Sequence, residues 1–475
     1  MTTRKRTNNA ADRRRGDRVG IKDDISVTDD TIFALASGGA RAGVAVVRLS
    51  GPGAARALAA LCAGAALPAA RMAAIRKLID PRSGEVLDLA LVLMFSGPSS
   101  FTGEDVCELH LHGGPAVVEG VLSALGRIEG LRPAEAGEFT RRAFVNGRMD
   151  LTQAEAIGDL VAAETSEQRR QALDQAAGSL GRLYEDWRKR LISAVAHVEA
   201  GIDFSDEDLP EDIDAAARDA LAGLRDEVSA HLNDGRRGER LRQGVHLALL
   251  GRPNAGKSTL LNLLAGRDAA IVSETAGTTR DVIEVHLDLG GVPVIVADTA
   301  GLRESADEIE REGVRRAEAR ADWADIRLIV LDRADWPDVP EDLRAMAGDG
   351  RALVLVNKVD LDPVGEDAGT GSVLFLSAKT GQGVDRFIRR LTEEVRGLAL
   401  SGAGAAPAPT RARHRLALEE ARDTLTVAIE GWNSRGPELT AEDLRIAARA
   451  IGRITGRVDV EDLLDVIFSD FCIGK

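Results

Sequence analysis

Hydrophobic and polar positions alternate along this chain with two different periods, and the change of period marks its segments. Over residues 29–146, short apolar runs are separated by glycine, as at 44–49 and 89–95. Runs of this length bounded by turn residues predict buried strands. Apolar helical stretches at 54–61 and 117–125 lie between them. We therefore expect an α+β domain in this part of the chain.

After this domain the apolar residues recur every three or four positions, which is the period of a helix. Thr152 and Glu155 have the spacing of a capping box, which predicts that Thr152 opens a helix. One long helical stripe follows, with apolar positions at Leu180, Tyr184, Trp187, Leu191, Val195, Val198 and Ile202. The helical pattern continues to about Leu241 and returns at 418–432 and 444–454.

Between the two helical regions the pattern changes again. Short apolar strands alternate with helices over residues 245–398, and a stretch rich in Gly, Ala and Pro at 401–410 has the composition of a linker. Each helical region has an apolar face that needs a partner, so we infer one helical domain in two sequence pieces, with an α/β domain inserted between them. The predicted boundaries are 1–28 for a disordered basic tail, 29–147 for the N-terminal domain, 148–243 and 401–475 for the helical pieces, and 244–400 for the inserted domain.

The composition is that of a soluble globular protein, with 44% apolar and 29% charged residues. The three scattered cysteines are too few for a disulfide framework and favour a reducing cytoplasm. No apolar run reaches the length of about 18 residues that a membrane span requires. The N-terminal tail is basic, but Asp12 and Asp17 argue against an organellar transit peptide. Because the net charge is −15, any contact with nucleic acid must be local or shared with a partner.

A phosphate-binding loop is the strongest signal in the sequence. Gly251, Gly256, Lys257 and Ser258 form a Gly-x-x-x-x-Gly-Lys-Ser pattern between an apolar strand and a helix. Backbone N–H groups of such a loop surround phosphates, Lys257 neutralises the outer phosphates and Ser258 is placed to ligate Mg²⁺. A chance match to a glycine-rich turn is the alternative for this pattern taken alone. The predicted nucleotide contacts here are Asn254, Ala255, Gly256, Lys257, Ser258 and Thr259.

Three further motifs follow apolar strands in the order that a guanine-nucleotide site requires. They are Asp298, Thr299, Ala300 and Gly301; then Asn357, Lys358, Val359 and Asp360; then Ser377, Ala378 and Lys379. The carboxylate of Asp360 can accept two hydrogen bonds from guanine, from N1–H and the exocyclic amine, and adenine does not offer that arrangement. The motifs therefore predict GTP rather than ATP, and a Ras-like P-loop α/β GTPase domain.

The residue after the second motif departs from Ras-like enzymes. Leu302 stands where those enzymes carry the glutamine that orients the attacking water. Asn254 resembles the asparagine that cation-dependent GTPases use as a potassium ligand, and a monovalent cation between the phosphates replaces the charge of an arginine. The alternative for Asn254 is a turn residue that caps the loop.

The segment that follows is predicted to complete the potassium site and to form a switch. Its expected nucleotide contacts are Ser273, Glu274, Thr275, Ala276, Gly277, Thr278 and Thr279. Within it, Ser273, Thr275 and Thr278 are the expected K⁺ ligands besides Asn254. Thr279 is the expected second Mg²⁺ ligand besides Ser258.

Longer and rarer motifs carry a resemblance to one family. They lie at residues 47–51, 100–106, 112–115, 137–144 and 471–475. Together with the order of the domains, they resemble the tRNA-modification GTPase family called MnmE or TrmE. The resemblance implies GTP hydrolysis coupled to carboxymethylaminomethyl-type modification of carbon 5 of the wobble uridine of certain tRNAs. It also implies a flavin-dependent partner, called MnmG or GidA.

The same resemblance implies a second site, in the N-terminal domain. This domain would bind a 5-formyl- or methylene-tetrahydrofolate and would hold two protomers together. The positions that match the folate contacts of the family are Arg48, Glu108, Arg148 and Lys475, and Cys472 matches a cysteine near that site. Arg148 keeps the charge of a lysine with a different hydrogen-bond geometry. Glu310 matches the glutamate proposed to position water, so Glu310 and Lys257 are the expected catalytic residues.

The implied assembly is a homodimer, joined by the flavoprotein into a heterotetramer that acts on tRNA in a bacterial-type cytoplasm. Two other classes share the GTPase core, namely a GTP-dependent ribosome-assembly factor and a regulatory switch. An assembly factor would carry a basic domain after its GTPase domain, where this chain has helical stripes and acids. The sequence leaves open which tRNAs are served and whether glycine or ammonium supplies the nitrogen.

Overall fold

The computed structural model describes residues 30–203, 211–267, 270–271, 284–297, 324–346, 352–362, 373–400, 407–458, 461–469 and 471–474. The chain divides into two compact units, of which the first combines residues 1–155 with 452–475 and the second holds residues 156–451. The predicted fold class, with α+β, helical and P-loop α/β parts, is confirmed. Among the described residues, no helix is both long and apolar enough to cross a membrane.

A six-stranded sheet forms the centre of the first unit. Its strands are β1 (Thr31–Leu35), β2 (Ala42–Ser50), β3 (Ala74–Ile79), β4 (Val86–Phe95), β5 (Val106–Gly113) and β6 (Leu131–Pro133). Three helices accompany them, α1 (Ala54–Leu61), α2 (Pro115–Gly126) and α3 (Glu138–Val145). The order is β3-β4-β5-β2-β1-β6, and neighbours are antiparallel except the parallel pair β1 and β6.

The alternation of side chains gives this sheet one covered face and one open face. Leu49 on β2, Val92 on β4 and Leu109 on β5 are fully buried with the apolar sides of α1 and α2. On the open face, Arg48 of β2 lies opposite Glu108 of β5 in the strand register. The sheet therefore presents charged groups on the side opposite α1 and α2, where Phe139 of α3 packs with Ile32 and Ala34 of β1.

The helix that follows the first domain is opened by a different residue from the one predicted. Helix α4 (Leu151–Ala162) begins after Asp150, whose Oδ1 accepts a hydrogen bond from the Gln153 amide at 2.9 Å. Gln153 returns the bond, because its Oε1 accepts from the Asp150 amide at 3.1 Å. The prediction of Thr152 as the opening residue is wrong, and its hydroxyl instead donates to Asp150. Asp150 and Gln153 each accept a hydrogen bond from the backbone amide of the other. The capping box therefore forms two positions before the predicted pair of Thr152 and Glu155.

The end of the chain lies within the first unit. Helix α14 (Glu461–Ser469) packs against α3, with Phe468 in a small core that also holds Phe144. The following residues run beside the loop before α3, where Ile473 forms an isolated antiparallel bridge with Ala136. The C-terminal segment is therefore held by backbone hydrogen bonding as well as by apolar contact.

The second unit contains a seven-stranded sheet. Its strands are β7 (Val245–Leu250), β8 (Ala270–Ile271), β9 (Glu284–Leu289), β10 (Val292–Ala297), β11 (Ile326–Asp332), β12 (Ala352–Asn357) and β13 (Val373–Phe375), in the order β13-β12-β11-β7-β10-β9-β8. Five strands, β10, β7, β11, β12 and β13, are parallel. Strand β7 lies between β11 and β10. The loop after β7 therefore lies at the point where the strand order reverses, and in such sheets ligands usually bind in the crevice at this point.

Helices make up most of the rest of the second unit. They are α5 (Ser166–Ala176), α6 (Ser179–Asp203), α7 (Glu211–Leu232), α8 (Arg237–Gln243), α9 (Lys257–Ala265), α10 (Glu341–Met346), α11 (Val384–Leu400), α12 (Ala412–Glu430) and α13 (Pro437–Thr455). The predicted stripe on α6 is confirmed, with Tyr184 and Leu191 fully buried. Helix α12 packs against α7, and its buried Arg415 pairs with Asp234 and Glu239, both at 2.7 Å.

A β-hairpin joins the sheet to these helices. Strands β9 and β10 are connected by Gly290 and Gly291, both in the left-handed region at φ 64° and 89°. The carbonyl oxygen of Gly291 accepts a hydrogen bond from the Glu167 amide at 3.1 Å, in the first turn of α5. A Cβ at Gly291 would lie 2.7 Å from the Ser166 hydroxyl oxygen, so both the turn and the contact require glycine.

Candidate functional site

The phosphate loop lies between β7 and α9. Strand β7 ends at Leu250, as the sequence predicts, and the predicted helix is present as α9, which begins at Lys257. Asn254 has a left-handed backbone at φ 63°, a conformation that asparagine tolerates better than most residues. Gly256 caps α9 without a side chain, so the first amides of the helix face the loop. A loop of this form suits an anion at the helix N-terminus.

Lys257 is folded over this loop. Its Nζ donates hydrogen bonds to the carbonyl oxygens of Gly251 at 2.7 Å and Arg252 at 2.9 Å. The ammonium group is therefore held on the side of the loop where phosphates would lie. Ser258 and Thr259, in the first turn of α9, are exposed.

The base-recognition residues cluster at the carboxyl ends of β12 and β13. Asn357, only 3% exposed, donates from Nδ2 to the Ala255 carbonyl oxygen and accepts at Oδ1 from the Ala378 amide, both at 2.9 Å. The fully buried Ser377 donates its hydroxyl to Asp360 Oδ1 at 2.6 Å. These bonds orient the Asp360 carboxylate and join its loop to the phosphate loop. Val359 is buried behind the cluster, and Lys379 is exposed.

A charged cluster lies on the open face of the first sheet. Arg48 donates from Nε at 3.0 Å and from Nη2 at 2.9 Å to the same Glu108 oxygen, Oε1. Its guanidinium also lies over two rings, 5.4 Å from the centroid of Phe101 and 5.8 Å from that of Phe139. A planar cation over aromatic rings is ordered by cation–π attraction as well as by the ion pair. The roles of Phe101 and Phe139 were missed, although both lie within motifs of the resemblance.

Arg148 and the C-terminal residues lie in the same unit. The side chain of Arg148 is close to Gly103, at whose position a Cβ would lie 3.3 Å from the Arg148 Cδ. Gly103 and Phe101 share one loop, so this loop lies close to both Arg148 and Arg48. Cys472 is exposed, and the Gly137 amide donates to its carbonyl oxygen at 3.5 Å.

A network of buried and half-buried ion pairs supports the loop at this cluster. Arg142 pairs with Glu138 at 3.0 Å and with Glu104 at 3.3 Å, and Arg132 pairs with Glu138 at 2.6 Å. Burial opposes the charge of Glu138, but hydrogen bonds from both arginines and the Glu135 amide outweigh it and hold the pKa of Glu138 below its ordinary value. The carboxylate is therefore ionised at neutral pH.

Comparison with known proteins decides the family. The sequence profile described as "MnmE helical domain" matches residues 151–472, and that described as "GTP-binding protein TrmE N-terminus" matches residues 31–148. The "tRNA modification GTPase MnmE" of Paramagnetospirillum magneticum is 56% identical over 448 residues, which cover 94% of this chain and 100% of that protein. This chain belongs to the MnmE family of tRNA modification GTPases. The family predicted from the sequence is confirmed, and with it the assignment as a GTPase.

Relatives of the MnmE family outside bacteria are also similar to this chain. The mitochondrial "5-taurinomethyluridine-tRNA synthase subunit GTPB3" of Danio rerio is 48% identical over 471 residues, which cover 94% of this chain and 93% of that protein. Among solved structures, an Era variant of Aquifex aeolicus bound to GDP and AlF4⁻ matches 38% of this chain and 67% of its own, with 22% identity and a TM-score of 0.26.

The remaining predicted residues of the MnmE sites fall outside the described residues. They are Ser273, Glu274, Thr275, Ala276, Gly277, Thr278, Thr279, Asp298, Thr299, Ala300, Gly301, Glu310 and Lys475. The described residues bring together Ala255, Asn357, Ala378, Ser377 and Asp360 in one hydrogen-bonded group. In the first unit they bring together Arg48 and Glu108.

Proposed function

We propose that this chain hydrolyses GTP with Mg²⁺ and K⁺, and that hydrolysis is coupled to modification of carbon 5 of the wobble uridine in certain tRNAs. The observation that carries the proposal is the hydrogen-bonded link between the phosphate loop and the Asp360 loop, in a chain of the MnmE family. The amides of the first loop suit phosphates, and the carboxylate of the second suits guanine.

The residues near the phosphate loop fit two metal ions. The exposed Ser258 hydroxyl in the first turn of α9 offers the hard oxygen that Mg²⁺ requires, and Thr279 would add a second. The exposed Asn254 carries an amide oxygen suited to K⁺, which Ser273, Thr275 and Thr278 would supplement. When bound, the two ions supply positive charge to the phosphates. Lys257 contributes the charge that this chain itself holds at the loop.

Water activation is assigned to Glu310. An apolar Leu302 cannot orient water, and a carboxylate can accept its proton or hold it through a second water. The contacts of the nucleotide with residues 273–279 and 298–301 belong to the same proposal. In this scheme water attacks the γ-phosphate, and GDP and inorganic phosphate leave.

The charged cluster of the first unit supports a tetrahydrofolate site. Folates carry carboxylates and a flat, hydrogen-bonding pterin ring, and Arg48 with Glu108 offers a donor and an acceptor beside the Phe101 ring. Arg148 and Lys475 would add positive charge, and Cys472 would lie nearby. The folate would be a 5-formyl or methylene derivative that supplies the one-carbon unit.

A homodimer is supported by the open face of the first sheet. Ile75 of β3 and Leu91 of β4 are direct neighbours in the strand register and are 65% and 38% exposed, and Leu89 on the same face is 60% exposed. Adjacent exposed apolar side chains favour association with another protein surface. We assign this face to a second copy of the chain.

The net charge of the chain supports a further partner in the assembly. A net charge of −15 disfavours unaided binding of tRNA, so a partner that contributes basic surface is expected. We propose that an MnmG or GidA flavoprotein fills this role in a heterotetramer, in the cytoplasm. The five-part domain arrangement given from the sequence is retained as part of the proposal.

Nucleoside analysis of tRNA tests this function. Total tRNA from a strain without the chain is digested, and the wobble uridines are quantified by liquid chromatography and mass spectrometry. We expect the carbon-5 modification to disappear, to return with the intact chain and to stay absent with Lys257→Ala. Lys189→Ala, at an exposed position of α6, is the matched control and should restore it. Fully modified tRNA in the deletion strain would refute the proposal.

A further inference from the structure

Asp332 lies beside the base-recognition residues, although no sequence motif includes it. It is the last residue of β11 and pairs in parallel register with Asn357, the last residue of β12. Its Oδ2 accepts a hydrogen bond from Lys358 Nζ at 2.5 Å, and its Oδ1 accepts one from the Ala334 amide at 3.1 Å. The Lys358 and Asp332 side chains are 31% and 26% exposed. Both oxygens of the carboxylate therefore have a partner.

Lys358 pairs with Asp332 from an uncommon backbone conformation. Its φ of 67° lies in the left-handed region, which is unfavourable for a residue other than glycine. The neighbouring Asn357 is fixed on both sides by its hydrogen bonds to Ala255 and Ala378, and the Leu361 amide donates to the Lys358 carbonyl oxygen at 3.0 Å. These contacts hold the turn, and the ion pair fixes the end of the long side chain that leaves it.

The carboxylate of this ion pair is held in its ionised form. Partial burial opposes the charge of Asp332, but the hydrogen bonds from Lys358 and from the Ala334 amide outweigh it and lower the pKa of Asp332. The ammonium of Lys358 therefore has a permanent anionic partner at neutral pH.

The fixed ammonium matters because Asp360 is only two residues further along. Among the described residues, the hydrogen bond to the Asp360 carboxylate comes from Ser377, at Oδ1. The other oxygen is thus available to a base, and recognition of guanine requires an anionic acceptor there. A lysine side chain is flexible and strongly charged, so a Lys358 released from Asp332 would be attracted by the carboxylate of Asp360, two residues along the chain.

We propose that Asp332 is a positioning residue for guanine recognition. It holds the Lys358 ammonium, so that the aliphatic stem of Lys358 lies ordered beside the base position and the Asp360 carboxylate stays available to guanine. This inference rests on the proposed guanine site and adds to it a residue outside the recognition motifs.

Double-mutant analysis tests the proposal. Asp332→Asn keeps an oxygen for the Ala334 amide and removes the charge that holds Lys358, whereas Lys358→Met keeps the stem and removes the ammonium. Affinity for fluorescent GDP is measured by titration, and KM and kcat for GTP by phosphate release. We expect Asp332→Asn to weaken GDP binding by about twofold to fivefold. KM should rise with kcat unchanged, and in the Lys358→Met background the second substitution should have no further effect.

Controls separate this role from a structural one and from failure of the guanine site. Asp362→Asn removes the exposed partner of Arg333, 2.8 Å away, and should leave GDP affinity unchanged. Asp360→Asn should shift preference from GDP to xanthosine diphosphate; unchanged GDP affinity in that variant would refute the guanine site itself. If Asp360→Asn behaves as expected but Asp332→Asn does not change GDP affinity, or weakens it equally in both backgrounds, the positioning role is refuted.

Discussion

The side-chain amide of Asn357 and the backbone of Ala255 join the two halves of the nucleotide site. Asn357 Nδ2 donates to the Ala255 carbonyl oxygen, while the side-chain oxygen Oδ1 of Asn357 accepts from the Ala378 amide. A single buried side chain therefore connects the phosphate loop, the end of β12 and the loop after β13. Because Gly256 has no Cβ, the amide of Asn357 can approach the phosphate loop closely.

Loss of this link should weaken nucleotide binding strongly. Asn357→Ala removes two hydrogen bonds and leaves a buried carbonyl and a buried amide unsatisfied. We expect the free energy of GDP binding to become less favourable by about 3 kcal/mol, which raises the Kd for GDP by about 100-fold. Titration of fluorescent GDP measures the change. Asn233→Ala, at an exposed position after α7, is the control, and an affinity of Asn357→Ala close to that of the control would contradict the linking role.

Potassium should accelerate hydrolysis through Asn254. The intact chain is expected to release phosphate from GTP at least about tenfold faster in K⁺ than in Na⁺, since a cation at the phosphates stabilises the charge of the transition state. Asn254→Ala should lose this preference, with less change in the Kd for GDP. Phosphate release is measured at matched ionic strength. Equal rates of the intact chain in the two salts would remove potassium from the proposal.

The buried Glu138 should make stability depend on pH in the acid range. Its pKa is held below the ordinary value of 4.5, so the folded state favours the ionised form and gains stability that is fully present above pH 4.5. This stability is lost as the pH falls through the folded pKa. Glu138→Gln should lower the free energy of unfolding by about 2 kcal/mol at pH 7.

Urea titration of both proteins between pH 7 and pH 3 checks this prediction. The difference between the intact chain and Glu138→Gln should shrink as the pH falls below 4.5. Glu129→Gln, at an exposed position of the same unit, should match the intact chain at every pH. A difference that stays constant down to pH 3 would show that Glu138 acts by packing rather than by charge.

Arg48 should be required for folate binding but not for GTP binding. Arg48→Met keeps an unbranched side chain close to the rings of Phe101 and Phe139 but removes the charge and the hydrogen bonds to Glu108. We expect binding of 5-formyltetrahydrofolate, followed by calorimetry, to weaken by about tenfold or more. Arg41→Met, at an exposed position directly before β2, is the control. Unchanged folate affinity in Arg48→Met would exclude Arg48 from the site.

The strands and helices that carry the nucleotide motifs could be predicted from the sequence, because their signals are local. The strand at 245–250 and the helix after Lys257 follow from apolar period and glycine spacing, and both are present. The opening residue of α4 was predicted wrongly because two overlapping patterns compete there. Thr152 and Glu155 have box spacing, but Asp150 and Gln153 have it too and form the actual bonds.

Contacts between distant parts of the chain could not be predicted. Asp332 and Lys358 are 26 positions apart, and only the parallel pairing of β11 and β12 makes them neighbours. The same holds for Arg142, which bonds to Asp30 from 112 positions away. A single sequence carries no periodic signal for such pairs, since each depends on how strands and helices are ordered in space.

The hairpin turn at Gly291 has a mechanical consequence for the second unit. The Glu167 amide, in the first turn of α5, has its hydrogen-bond acceptor in the hairpin of the seven-stranded sheet rather than in its own helix. A displacement of β9 and β10 away from α5 would break this hydrogen bond. The bond therefore opposes such a displacement and transmits force from the hairpin to α5. A side chain at Gly291 would collide with Ser166 and would weaken this mechanical connection between the hairpin and α5.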